Sequence, residues 1–437
     1  MLKRRRIKLA FPLIIFAVLL ASTIFACFGF VKVNKYENRT AEKVPFPTIR
    51  SYADGSFQEK CESGLGDQLP LAIAVKDSFN TCKSFVLDKL IKKSFDIFAD
   101  NTSIRAISEN TSKLIDVVFD REIEKTGTAD TSDVLEVPNF RDDRYYMITN
   151  SVYNFNGQLV GMTEKVSEDT PAGGLIPEIN SVIEEGLADN VYVAYVEREF
   201  DIDFSTGEKS GLYKYIRNGI NLDDDHICSF SVDSFDSYDQ LFYKTDHHWN
   251  HKGSYIGYRI IMDMLKPEDQ CLYPENEQYI GIGSGSRARG SAQNYNEAIS
   301  VFNYDFPEYF IVANGEVKND FSDFTLISKA AEKGVYRRDL GYNDIYGDDE
   351  GEIIIRNQDQ NSRGNYEKIL ILGDSFDNAL LKLIASHYGT VYSVDTRYYE
   401  NDQRKFVLKD YLKENSIDTI LFVGRNEFFL NDDFLFE

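Results

Sequence analysis

The chain has 437 residues, 43% of them hydrophobic and 27% charged, enough to bury one large core or two modest ones and unlike a disordered tail. Lys and Arg number 48 against 71 Asp and Glu, a net charge of −23 at pH 7, so the surface repels a phosphate backbone and no nucleic-acid partner is expected. Five Cys are too few for a disulfide-built scaffold, and hydrophobic burial must carry the fold.

Lys3, Arg4, Arg5, Arg6 and Lys8 precede an uncharged apolar run over residues 9–31. As a helix at about 1.5 Å per residue it reaches roughly 35 Å, enough to cross a hydrocarbon core about 30 Å thick. Positive charge stays on the cytoplasmic side, which predicts a single-pass cell-membrane anchor with the rest of the chain outside. A cleaved secretory signal is the alternative, but its apolar stretch is usually only about 7–15 residues. Lipid attachment at Cys27 fits poorly, because in the preceding Ile24-Phe25-Ala26 a bulky Phe stands where small residues are usual. Cys61, Cys82, Cys228 and Cys271 then meet the external compartment, and sequence proximity favours pairing Cys61 with Cys82.

Residues 32–58 read as a spacer, with charges, Pro45, Pro47 and no sustained periodicity, and residues 59–437 as the main domain. Apolar residues at three and four spacing predict a helix over 71–98. Residues 145–162 read as a hairpin, since Asn156-Gly157 supplies the positive backbone angles of a tight turn. A helix is expected over 176–185, a buried strand over 190–196 and a helix over 255–265. Towards the C-terminus, strands over 368–372 (KILIL), 390–394 (TVYSV) and 419–423 (TILFV) alternate with helices over 376–387 and 404–413. Such alternation predicts an α/β fold, a parallel sheet with helices on its faces. Ligands in such sheets lie beyond the carboxyl ends of the strands, where Gly373, Asp374 and Ser375 emerge.

A serine leaving a strand on a Gly-Asp-Ser turn, with its N–H at a helix start, is placed to use amide donors and the local dipole against developing negative charge. The plain alternative is that Asp374 or Ser375 caps the helix. A second concentration of chemistry lies at Asp246-His247-His248-Trp249-Asn250-His251, with three of the five His and the only Trp. A hydroxyl needs a base to become a nucleophile, imidazole suits that task near neutrality, and a carboxylate can orient the imidazole. The competing chemistry is a metal site from Asp246, His247, His248 and His251. The ordered His-Glu-x-x-His spacing is absent, and no metal and no cofactor is assigned. Gly283-Ser284-Gly285-Ser286-Arg287-Ala288 mimics a dinucleotide fingerprint but reads as a loop, since no convincing strand precedes it and no helix clearly follows. The acidic residues Asp348, Asp349, Glu350 and Glu352 read as a solvated face, with Ca²⁺ binding as the alternative.

Thr245-Asp246-His247-His248-Trp249, with the later Ile371-Leu372-Gly373-Asp374-Ser375-Phe376, resembles the DHHW family, which is similar to the alginate O-acetyltransferases of the SGNH hydrolase-like superfamily. Ala53-Asp54-Gly55-Ser56-Phe57, Gly66-Asp67-Gln68-Leu69-Pro70 and Val394-Asp395-Thr396-Arg397-Tyr398-Tyr399 extend the likeness over most of the external chain. The resemblance implies a three-layer α/β/α domain in which Ser375 is the nucleophile, His248 its base and Asp246 the orienting acid. Gly373, Asn426 and Arg397 are the expected oxyanion or substrate contacts. It also implies an O-acetyltransferase acting on hydroxyls of an exported or cell-wall polysaccharide, with a membrane-bound acyltransferase partner as donor. A carbohydrate esterase with the same triad and a noncatalytic polysaccharide-binding or assembly protein are the alternatives. The sequence departs from full SGNH hydrolases in lacking an assignable second-block Gly and in having Gly424-Arg425-Asn426-Glu427 where Gly-x-Asn-Asp is usual.

Overall fold

The structure is a computed structural model that describes residues 33–34, 39–40, 104, 110–119, 121–149, 151–166, 173–283, 295–318, 324–399 and 406–437. The expected membrane span, the helix over 71–98, the Cys61–Cys82 pair and the two signatures between residues 53 and 70 lie outside the described residues. Among the described residues, no helix is long and apolar enough to cross a membrane. The chain divides into two compact units, Met1–Asn101 and Thr102–Glu437. In the first, Val33–Asn34 pairs antiparallel with Arg39–Thr40.

The second unit is built on an eight-stranded sheet. Its members in chain order are β1 (Asn190–Val196), β2 (Ile227–Phe230), β3 (Tyr309–Ala313), β4 (Glu316–Lys318), β5 (Glu352–Asn357), β6 (Lys368–Gly373), β7 (Thr390–Val394) and β8 (Thr419–Gly424). The spatial order is β2-β1-β8-β6-β7-β5-β3-β4. The first five run parallel, with Leu370 facing Ile420 and Tyr392, while β5, β3 and β4 join through antiparallel pairs. The sheet is therefore mixed, where the alternation at the C-terminus predicts a parallel one. The hairpin that links β3 to β4 and the crossing β5 add antiparallel edges that this local pattern does not encode.

The parallel strands are apolar on both faces because both faces are covered. Ile369, Ile371, Leu421 and Val423 enter one core, with residues of helices α2 (His251–Leu265) and α4 (Leu381–Ala385). Leu370, Leu372, Ile420 and Phe422 enter the opposite core, with residues of helices α1 (Ile176–Glu185) and α5 (Leu408–Asn415). Period-two alternation thus makes two cores from one strand, and helices on both sides give an α/β/α arrangement. The expected boundaries of α1 hold: Pro177 stands in its first turn and Gly186 closes it in the left-handed region at φ 61°.

Three expectations need correction. Residues 375–380 form turns, and the helix predicted over 376–387 is only α4. The Asp374 carboxylate accepts from the Phe376 N–H at 3.1 Å, and the Asp377 N–H and Leu380 N–H bond three residues back to Asp374 and Asp377. These local bonds occupy the chain where a helix would start. The helix predicted over 255–265 begins earlier, at His251, because Asn250 accepts from the Lys252 and Gly253 N–H groups at 2.9 and 3.1 Å. Finally, Asn276–Gly283 is a strand, paired with Glu297–Asn303 and Arg337–Leu340, so the Gly-Ser motif does follow a strand; residues 284–288 lie outside the described residues. The helix predicted over 404–413 is seen as Leu408–Asn415, its first residues also lying outside them.

Candidate active site

The segment from Tyr243 to His248 is a short loop closed at its base. Phe242 and Trp249 pair across it, and the Tyr243 N–H donates to the His248 carbonyl at 3.1 Å. Glu297 reaches in from the neighbouring sheet and accepts from the Lys244 and Thr245 N–H groups and from the Thr245 hydroxyl, at 3.0, 2.8 and 2.7 Å. Trp249 is fully buried against Phe230 and Phe376, with ring centroids 5.5 and 5.4 Å apart. Helix α2 approaches this loop closely because it carries glycine there. A Cβ on Gly253 would stand 2.2 Å from the Leu241 carbonyl oxygen, and one on Gly257 would stand 2.6 Å from Trp249 Cζ3. The Trp of the motif is thus the packing anchor that fixes where His248 points.

Ser375 arrives from the other direction, two residues past the end of β6. Gly373 precedes it because the Asp377 carboxyl folds back over the strand end, 2.6 Å from where a Cβ would be. The two segments, 127 residues apart in sequence, meet: Ser375 Oγ lies 2.8 Å from His248 Nε2. On its other side, His248 Nδ1 lies 2.7 Å from Asp246 Oδ1, which also accepts the His248 backbone N–H at 3.0 Å. All three side chains are buried.

The protonation pattern follows from this geometry. Burial disfavours charge on Asp246, but attraction and hydrogen bonding from His248, with a contribution from His247, hold its carboxyl well below the usual carboxylate range. An ionised Asp246 only accepts, so His248 Nδ1 carries the proton and Nε2 presents a lone pair to the serine hydroxyl. The imidazole is held flat by Tyr342, stacked at 3.8 Å and 5°, and Phe376 lies 5.0 Å away. No feature of the local sequence marks Tyr342, which approaches from the short helix α3 (Tyr342–Tyr346).

His247 lies alongside, its Nδ1 3.3 Å from Asp246 Oδ1. Ligand atoms of Asp246, His247 and His248 fall within 4.8 Å of one another. His248, however, spends both ring nitrogens on Asp246 and Ser375. The fourth member of the metal alternative, His251, turns away to Glu277, with Nε2 3.4 Å from Oε1.

The ends of the neighbouring strands surround Ser375 with charge. Beyond β8, Arg425 Nε lies 3.3 Å from Asp374 Oδ2 and 2.6 Å from Glu427 Oε2, with its guanidinium 5.9 Å from the Phe376 ring centroid. Beyond β1, the buried Arg198 pairs with Glu427 at 3.0 Å and stacks over Phe200. Asn426 is buried, and its amide donates to Glu164 Oε2 at 3.0 Å. Arg397, beyond β7, is engaged by Asp395 at 3.0 and 3.2 Å and by Asp349 at 3.2 Å. Asp349, expected on a solvated face, therefore belongs to this network and also accepts from Asn378 at 3.0 Å. Burial, then repulsion from Asp395, Asp374 and Asp349, pushes the Asp377 carboxyl well above its ordinary value. Sequence reading misses Glu164, Arg198, Tyr342, Asp377 and the role of Arg425, each of which reaches the site from a distant element or a turn without a motif.

Residues 179–394 match the family described as DHHW protein. Among solved structures, Bacillus cereus PatB1 with a sulfonyl adduct is similar at 17% identity and a TM-score of 0.48, over 68% of this chain and 99% of that one. A DHHW family protein from Eubacterium siraeum is 17% identical at a TM-score of 0.42, over 64% of this chain and 91% of that one. Pseudomonas aeruginosa AlgX is 10% identical at a TM-score of 0.30, over 64% of this chain and 63% of its own. No curated protein sequence matches the chain.

Proposed function

We propose, from the match of residues 179–394 to the DHHW family, that the chain is a membrane-anchored, extracytoplasmic O-acetyltransferase with an SGNH hydrolase-like domain, acting on hydroxyls of an exported or cell-wall polysaccharide. One observation carries the reading: a serine hydroxyl 2.8 Å from an imidazole nitrogen whose other nitrogen is held at 2.7 Å by a buried carboxylate. Ser375 Oγ attacks the acetyl carbonyl as His248 Nε2 takes its proton, and Asp246 stabilises the imidazolium. Collapse of the tetrahedral intermediate expels the donor's oxygen, which receives that proton, and leaves acetyl-Ser375. A sugar hydroxyl then attacks, His248 takes its proton, and the proton returns to Ser375 Oγ as the ester forms on the sugar.

We assign the carbonyl oxygen to the Asn426 amide and the backbone beside Gly373. Glu164 takes one of the two Asn426 amide hydrogens and leaves the second for this purpose. Arg397, engaged by two carboxylates, is assigned to shaping the strand-end loop. The run over residues 9–31 supplies the anchor, and a membrane-bound acyltransferase supplies the acetyl donor. The test is a paired assay of the full chain, with an acetyl donor and an oligosaccharide acceptor. Transfer predicts an acetylated oligosaccharide that disappears with Ser375→Ala; release of acetate without acceptor product marks an esterase, and neither product overturns the reading.

A further inference from the structure

At the opposite edge of the main sheet, where β1, β6 and β8 begin, lies a cleft of about 1020 Å³ of open space bounded by Asn190, Tyr192, Tyr366, Tyr388, Ser416 and Asp418 among others. Ser375 lies past the far ends of the same strands. A six-residue strand at about 3.3 Å per residue puts about 20 Å between the two edges. The cleft is therefore separate from the triad.

Its lining has the character of a sugar site. Tyr366 is 68% exposed, and neither its ring nor its hydroxyl is used by any described residue. Tyr388 is buried in the wall behind it, its ring covered by the Lys266 ammonium 4.3 Å from the centroid, and Tyr192 adds a half-buried ring. A tyrosine offers a flat apolar body and a polar tip, which matches the C–H face and hydroxyl rim of a pyranose. The charges already present are largely satisfied: Lys266 pairs with Glu367, Lys368 donates to the Asn415 carbonyl, and Asp269 pairs with His387. Glu268 makes no hydrogen bond or ion pair with described residues, and the Asp418 carboxylate, whose charge also acts on Tyr388, accepts one side-chain hydrogen bond among the described residues, from the adjacent Thr419 hydroxyl. The remaining carboxylates accept from hydroxyl or amino groups and repel an anionic chain.

We propose that this cleft is a second carbohydrate-binding site, taking a neutral or amino-substituted segment of the same polymer whose hydroxyls are presented to Ser375. The proposal rests on the polysaccharide reading above and adds a tether to it. A chain held at the cleft raises the effective concentration of its other residues at the triad, so long polymers gain over short ones without a new contact at Ser375.

The test uses the full chain, with the neutral fraction of the producing cell's envelope polysaccharide as probe, fluorescently labelled. Ser375→Ala protein binds this polymer, and adding Tyr366→Ala weakens binding about tenfold. In the active protein, Tyr366→Ala raises KM for the polymer and leaves kcat and the KM for a trisaccharide acceptor unchanged. A general structural defect would move kcat and both KM values together. Unchanged polymer affinity in Tyr366→Ala and in Asn190→Ala overturns the second site while leaving the triad chemistry untouched. Tyr366-dependent binding in a protein that transfers no acetyl group would keep the site and remove the enzymatic reading.

Discussion

Asp246→Asn isolates what the buried charge contributes, because the substitution keeps the side chain's shape. Asp246 Oδ1 accepts the His248 backbone N–H at 3.0 Å as well as Nδ1–H at 2.7 Å, so an amide oxygen is drawn to the same position and the imidazole stays oriented. What disappears is the attraction between a carboxylate and the imidazolium that forms as Ser375 attacks. With charge centres about 4 Å apart and an effective dielectric near 20, that attraction is about 4 kcal/mol. At about 1.36 kcal/mol per tenfold in rate, kcat falls about 10³-fold. Release of p-nitrophenol from p-nitrophenyl acetate by the folded variant reads this directly, with circular dichroism as the check on folding. A fall smaller than about tenfold would refute the argument that Asp246 works through its charge. The variant also gives up a stability term: a carboxyl held below its unfolded value stabilises the fold above the ordinary carboxylate pKa and loses that contribution as pH falls through the folded value.

Gly257→Ala forces a methyl to within 2.6 Å of the Trp249 ring, which Phe230 and Phe376 hem in, so a loss of about 1–3 kcal/mol is expected. The urea midpoint measures it, and activity falls with it; an unchanged midpoint contradicts the packing role given to Trp249. Asp377→Asn keeps the acceptor for the Ser393 hydroxyl, 3.2 Å away in the parent, and removes a carboxyl that burial and three neighbouring Asp residues push upward. A raised folded pKa gives a contribution that is complete below the unfolded value and is lost as pH rises through the folded one. The variant's thermal midpoint therefore gains on the parent's as pH rises from the ordinary carboxylate range towards the raised folded value, and parallel curves would contradict a raised Asp377.

The parts of the fold legible in the sequence are those where one local pattern decides the outcome. Strands β6, β7 and β8 read clearly because burial on both faces makes them unbroken apolar runs, and α1 because Pro177 and Gly186 punctuate it. The strand Asn276–Gly283 is missed because its start is polar and its pairing is supplied by distant segments. Residues 376–380 follow a strand where the alternation calls for a helix, yet the Asp374 side chain and i→i+3 bonds hold them in turns. Ser375, His248 and Asp246 stand out because reactive side chains are concentrated in short motifs. Tyr342 and Glu164 leave no such trace: Glu164 meets Asn426 across 262 positions, a contact only the folded chain creates.

The most direct measurement is mass-spectrometric mapping of a serine-reactive phosphonate on the native protein. A single adduct on Ser375, abolished by His248→Ala in a variant that remains folded, is the predicted result, since Oγ at 2.8 Å from Nε2 depends on that base for its reactivity. Labelling of a different residue, or undiminished labelling of Ser375 without the imidazole, would contradict the account.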